Sequence, residues 1–202
     1  MVKSMLGART RGPVSLQAMV DLRRRFGDWD QVRVAPIWAI EETIRPVTFA
    51  ADKALRLRDA LAMIVAENHA MTLDNLAAMG VTEALTWLER LPGVGRKVSA
   101  SVLNQTPLRK RALVIDTHHL RVLQRLGLVG HKASITQAYD IMMPLMPITW
   151  SAADLDEHHW LLKRFGQALC TYHQPSCSQC PCSDQCASLW QNQKSRRHQA
   201  SA

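Results

Sequence analysis

The sequence predicts an all-α fold, and three observations carry that prediction. Apolar residues recur at helical spacing through most of the 202 residues, Gly and Pro punctuate short connections, and nothing alternates as a strand beyond Ala112 to Ile115. Ser15 precedes apolar positions at Leu16, Met19, Val20 and Phe26, and Gly27 closes them, which reads as an N-capped helix with a C-terminal glycine. Asp52 opens a second helix with Ala54, Leu57, Leu61, Ile64 and Val65 on one face. Further helices are expected at 72–79, 82–90, 95–104, 117–126, 134–143 and 154–165. Residues Ile44 to Phe49 read as a loop, and Pro175 and Pro181 keep the cysteine region out of long helices. The stretch 191–202 is polar and basic and is expected to be disordered.

Composition narrows the function classes. At 47% apolar and 21% charged residues, disordered and collagen-like chains are excluded. The longest apolar run, Ile141 to Ile148, holds two prolines and is too short to span a membrane. Met1 to Gly7 offers no signal-peptide core, so a cytoplasmic, reducing compartment is the expectation, nucleoid-associated if the source is bacterial. The formal charge of +8 is concentrated: the window 90–132 holds Arg90, Arg96, Lys97, Arg109, Lys110, Arg111, Arg121, Arg125 and Lys132 against the single acid Asp116. Such a stretch is either a solvated basic face or a surface for an anionic polymer.

The turn Pro92-Gly93-Val94-Gly95 joins two predicted helices inside that window, followed by Arg96 and Lys97. Two glycines one residue apart let several backbone N–H groups point the same way, and the next helix's N-terminus lies behind them, so the turn suits one phosphate. A plain helix connection would look similar. Asp116, preceded by Val114 and Ile115 and followed by Thr117 and His118, is an N-cap or a functional carboxylate kept ionised by cations. All five cysteines lie between 170 and 186. Cys170, Cys177, Cys180 and Cys186, separated by six, two and five residues, have ligand spacing for zinc or for an iron–sulfur cluster, and Cys182 is left over.

Taken together, Leu91-Pro92-Gly93-Val94-Gly95-Arg96-Lys97, Val114-Ile115-Asp116-Thr117-His118 and the cysteine spacing resemble the endonuclease III branch of the helix-hairpin-helix DNA glycosylases, from about Leu6 to Cys186. The resemblance implies a helical lobe over 1–112 containing the hairpin at about 83–105, a cluster lobe over 113–190, and double-stranded DNA bound between them by a monomer. It implies that Lys97 is the nucleophile of a glycosylase with abasic-site lyase activity, that Arg96 lowers the lysine's pKa, and that Asp116 is the catalytic carboxylate. It also implies a 4Fe-4S cluster rather than zinc on Cys170, Cys177, Cys180 and Cys186, fixing a basic loop near Lys163 and Arg164 against DNA. Pro92, Gly93, Val94, Gly95 and Arg96 would contact the DNA. The family carries a further helix ahead of the segment resembling Val2 to Thr10.

Two loops depart from the family. Arg9 stands where a glutamine is usual, and Arg45 to Ala51 is longer, with Val47 or Phe49 as the apolar wedge. Both bear on which lesion is removed from damaged duplex DNA. His118, His119, His158 and His159 read as packed helix residues. The alternatives that remain are a monofunctional glycosylase for alkylated, deaminated or mismatched bases, and a non-catalytic iron–sulfur DNA-binding module.

Overall fold

A computed structural model describes residues 1–190; the tail expected at 191–202 lies outside the described residues. Among the described residues the regular structure is helical, and no strand occurs. Backbone contacts divide the chain into two compact units, Met1–Leu108 and the residues from Arg109 onward.

The first unit holds α1 (Val2–Leu6), α2 (Gly12–Phe26), α3 (Trp29–Val34), α4 (Ile37–Thr43), α5 (Ala50–Asn68), α6 (Val81–Glu89) and α7 (Arg96–Gln105). The sequence reading misses α1, α3 and α4, each under two turns long, where too few apolar positions repeat to show a period. Helix α2 starts ahead of Ser15, because Pro13 in its first turn presets the helical φ. Ser15 is buried rather than capping, and its hydroxyl donates to the Gly12 carbonyl at 2.9 Å. The buried stripe of α2 is Ser15, Ala18 and Leu22, while the expected Leu16 and Val20 face water. Residues 72–79 carry only a 3₁₀ turn, Asp74–Ala77.

Helix α5 is the spine of this unit and packs against α1, α3 and α4. Its buried face includes the expected Ala54, Leu57, Leu61 and Ile64, joined by Lys53. Each fully buried leucine of such a face contributes about 2 kcal/mol through removal from water.

The second unit holds α8 (Thr117–Leu126), α9 (Ile135–Met142) and α10 (Ala152–Ala168). Residues Ala112 to Ile115 are buried and form no assigned strand. Helix α8 coincides with its predicted span because both ends are specified, by the Asp116 cap and by Gly127 in the left-handed region (φ 82°). Capping boxes start α9 at Ser134 with Gln137 and α10 at Ser151 with Asp154, so Asp154 lies inside the helix it was expected to open. Helices α8 and α10 approach closely at Gly166, where a Cβ would lie 2.9 Å from the His118 carbonyl oxygen.

Candidate active-site residues and nucleic-acid interface

In the first unit the chain leaves α6, buries Leu91 and turns through Pro92 to Gly95. Gly93 has φ 78°, and a Cβ there would meet the Arg56 Cβ at 3.1 Å, so only glycine fits. Gly95 is the N-cap of α7 and offers no side-chain acceptor. Such an uncapped helix start, in a glycine turn, is the local geometry of an anion site. Val94 is 4% exposed, so its side chain belongs to the core and only its backbone can serve a ligand. Lys97 is half-buried in the first turn of α7, and its carbonyl accepts from the Ser101 hydroxyl at 2.9 Å.

In the second unit Asp116 caps α8. Its Oδ1 accepts from the backbone N–H groups of His118 and His119, both at 2.9 Å, and its Oδ2 lies 3.8 Å from the Lys163 ammonium. Burial pushes this carboxyl up, but the His119 N–H and the fields of His159, Lys163 and His118 outweigh it and hold the group below the ordinary carboxylate range. Asp116 is therefore a cap and an ionised, half-buried carboxylate at once. Lys163 lies in α10, within the helix expected at 154–165, and its ammonium sits 4.5 Å over the Trp160 ring.

Behind Asp116 three imidazoles cluster. His119 is fully buried, its Nδ1 is 3.2 Å from the Val114 oxygen, and its ring centroid lies 5.2 Å from that of His158 and 5.9 Å from that of His159. Burial, then His158 and His159, push the His119 imidazole down from the ordinary 6.5 to about 3. The unfolded chain takes up this proton first as pH falls, so stability is lost from about pH 6.5 downward. The loss should be on the order of 2 kcal/mol at pH 5. Denaturant midpoints at pH 7 and pH 5 check this, and His119→Leu should remove most of the difference.

Cys170, Cys177, Cys180 and Cys186 line one cavity of about 150 Å³ together with Arg125, and Cys182 does not. Among the described residues no three His, Cys, Asp or Glu groups come close enough to share a single metal ion. Four thiols lining one cavity are the donor set of a zinc site and of an iron–sulfur site alike. Arg125 donates to the Cys170 sulfur at 3.3 Å and to the Thr171 carbonyl at 2.6 Å, and Cys186 donates to the Arg125 carbonyl at 3.4 Å. Burial and the neighbouring Cys180 push the Cys182 thiol up, which keeps it protonated. A larger cavity, about 430 Å³ among Met1, Met19, Trp29 and Leu61, contains none of these groups, so size alone does not point to the site.

No family model matches the chain. It is 27% identical over 183 residues to endonuclease III-like protein 1 of Gallus gallus, an alignment covering 90% of this chain and 60% of that protein. It is 34% identical over 106 residues to endonuclease III of Escherichia coli strain K12, covering 52% of this chain and 47% of that one. The chain thus spans between about half and three fifths of these relatives' lengths. The solved structure of a trapped endonuclease III–DNA covalent intermediate superposes with a TM-score of 0.78 at 22% identity, over 95% of this chain and 84% of that one. In sequence the chain is similar to endonuclease III proteins, and it has their fold.

Within this endonuclease III-like chain the basic window, in sequence either a solvated face or a surface for an anionic polymer, carries ion pairs and backbone clamps. In the fold, Arg90 pairs with Glu67, and Arg96 pairs with Glu89 at 2.5 Å while Ser99 also donates to that carboxylate. Arg96 is thus partnered by Glu89. Arg111 clamps the Trp150 and Pro147 carbonyls, Arg121 those of Cys170 and Gly166, and Arg125 those of Thr171 and Tyr172. These arginines hold the second unit together.

The two departing loops meet. Arg9 is exposed and its guanidinium lies 5.9 Å from the Phe49 ring centroid. Phe49 is 58% exposed and Val47 only 3%, so of the two wedge candidates Phe49 alone is available to a ligand. Sequence reasoning missed Lys53, Glu89 and Lys163 as partners of the site residues. Lys53 alone left a signal, a lysine on the apolar stripe of a predicted helix.

Proposed function

We propose that the chain is a base-excision DNA glycosylase with abasic-site lyase activity, acting on duplex DNA that carries a damaged base. The observation that carries the reading is the uncapped start of α7 in a glycine turn, with the Lys97 amine in that same first turn. The hairpin would hold a backbone phosphate and so bring the amine to a sugar. The lone pair of Lys97 attacks C1′, the bond from C1′ to the base breaks, and the base leaves with the electron pair and takes a proton. Ring opening gives a protonated Schiff base. Loss of a proton from C2′ then expels the 3′ phosphate and cuts the strand.

Asp116 supplies a fixed negative charge to stabilise the developing cationic sugar or to accept a proton from the lysine. Its two backbone hydrogen bonds and the Lys163 ammonium keep it ionised and oriented. Cys170, Cys177, Cys180 and Cys186 would hold a 4Fe-4S cluster. Bound there, it would supply a cross-link fixing the segment that Arg121 and Arg125 also clamp.

Duplexes carrying uracil, thymine glycol, a mismatch or an abasic site test the reading. The expected product is a strand cut at the lesion without added alkali. An intact abasic site on every substrate would select a monofunctional glycosylase instead. Asp116→Asn keeps an amide oxygen for the α8 cap, so stability should change by less than about 1 kcal/mol. The chemical step should slow by about a hundredfold or more. Unchanged turnover in Asp116→Asn would favour a pure binding module.

A further inference from the structure

We propose that Arg9 reads the base left behind when the damaged nucleotide is extruded, and that its chemistry selects cytosine. The substrate class would then be altered guanines, the bases that pair with cytosine. The inference rests on the glycosylase reading above and adds the identity of the opposite base.

The geometry around Arg9 is built. Arg9 and Phe49 are both non-glycine residues in the left-handed region, at φ 53° and 60°, in two loops far apart in sequence. Such residues persist only where their surroundings over-determine them, and they gather at ligand sites. Here the surroundings are visible. The Lys53 ammonium is buried and donates to the Leu6 carbonyl at 2.8 Å, the Ala8 carbonyl at 2.6 Å and the Thr10 hydroxyl at 3.2 Å. Thr48 ties the second loop on, its hydroxyl donating to the Arg9 carbonyl at 3.0 Å and its N–H to the Thr10 hydroxyl at 3.2 Å. The backbone is thus pinned on both sides of Arg9 while its guanidinium stays exposed beside the Phe49 ring. One exposed apolar ring and one cationic fork on a pinned backbone make a unit that can enter a base stack and hydrogen-bond within it.

The fork decides the partner. A guanidinium carries five N–H donors and no acceptor. On the Watson–Crick edge, cytosine offers two adjacent acceptors, N3 and O2. Thymine separates its acceptors by an N–H, adenine places one acceptor beside a donor, and guanine has one acceptor beside two donors. Cytosine alone accepts two parallel bonds from one fork and leaves its remaining donor outside it. Lys53 is the positioning residue: it holds the loop, and its three donors go to Leu6, Ala8 and Thr10.

Binding to duplexes carrying a tetrahydrofuran abasic analogue opposite each of the four bases tests this without requiring chemistry. The parent should bind the cytosine duplex about tenfold more tightly than the other three. Arg9→Gln, whose amide has both a donor and an acceptor, should bring the four within about threefold of one another. Lys53→Met should shrink the cytosine preference although Arg9 is intact, a readout that simple loss of stability would not move. Equal affinity for all four in the parent, or a preference that survives Arg9→Gln, would overturn the proposal. If the four bind equally while Lys97-dependent cleavage of abasic duplexes proceeds, the inference falls and the lyase reading stands. If the chain neither binds nor cleaves any of them, both fall.

Discussion

Lys97→Ala is expected to lose strand cleavage at abasic sites by at least about a thousandfold under single-turnover conditions, because the residue contributes the bond-forming lone pair and water cannot form a Schiff base. The fold should tolerate the change. Lys97 occupies a half-buried position in the first turn of α7, where alanine is a good helix former, so stability should move by about 0.5 kcal/mol or less. Duplex affinity should fall only by about the value of one cationic contact, with a shallower salt dependence. The combination of retained affinity, retained stability and lost cleavage distinguishes a nucleophile from a phosphate contact. A phosphate contact would lose affinity and cleavage together.

The second large effect is expected at the cysteines. Cys177→Ser should abolish the visible absorption of the freshly purified protein. It should also lower stability by several kcal/mol, since a thiolate-bound cluster contributes its binding energy to folding. The loss should concentrate in the second unit, where Arg121 and Arg125 fasten the carbonyls of Cys170, Gly166, Thr171 and Tyr172 to α8. Cys182→Ser is the control. Its sulfur lies outside the cavity lined by the other four, so spectrum and midpoint should stay as in the parent. Full absorption in Cys177→Ser would remove that residue from the ligand set, and a colourless parent containing stoichiometric zinc would replace the cluster by a single ion.

Legibility in the sequence followed the range of the interactions. Helix α8 was read correctly because its signals are local: Asp116 as cap, Gly127 as stop, and the apolar positions between them. The turn of the hairpin is legible for the same reason, since Pro92, Gly93 and Gly95 between two helical runs mark a tight connection locally, whatever that connection binds. Helix α2 shows the opposite case. Its exposed Leu16 and Val20 outweighed a stripe containing Ser15, whose polarity is cancelled only by a hydrogen bond to Gly12. The basic window hides its pairing because the partners lie outside it: Glu67 is 23 residues ahead of Arg90, and Glu89 is seven ahead of Arg96. Lys163 could not be joined to Asp116 by any spacing rule, because the packing of α10 on α8 brings them together. The meeting of Arg9 with Phe49 depends on the Lys53 and Thr48 hydrogen bonds, which no pattern of residue types announces.

The central claim is that Lys97 forms the covalent link to DNA. Sodium borohydride reduction of the parent protein on an abasic duplex, followed by proteolysis and mass mapping of the cross-linked peptide, measures this most directly. The account predicts a trapped adduct whose DNA remnant is carried by Lys97, and no adduct from Lys97→Ala. An adduct carried instead by Lys163 or another amine, or strand cleavage by the parent with no adduct at all, would contradict it.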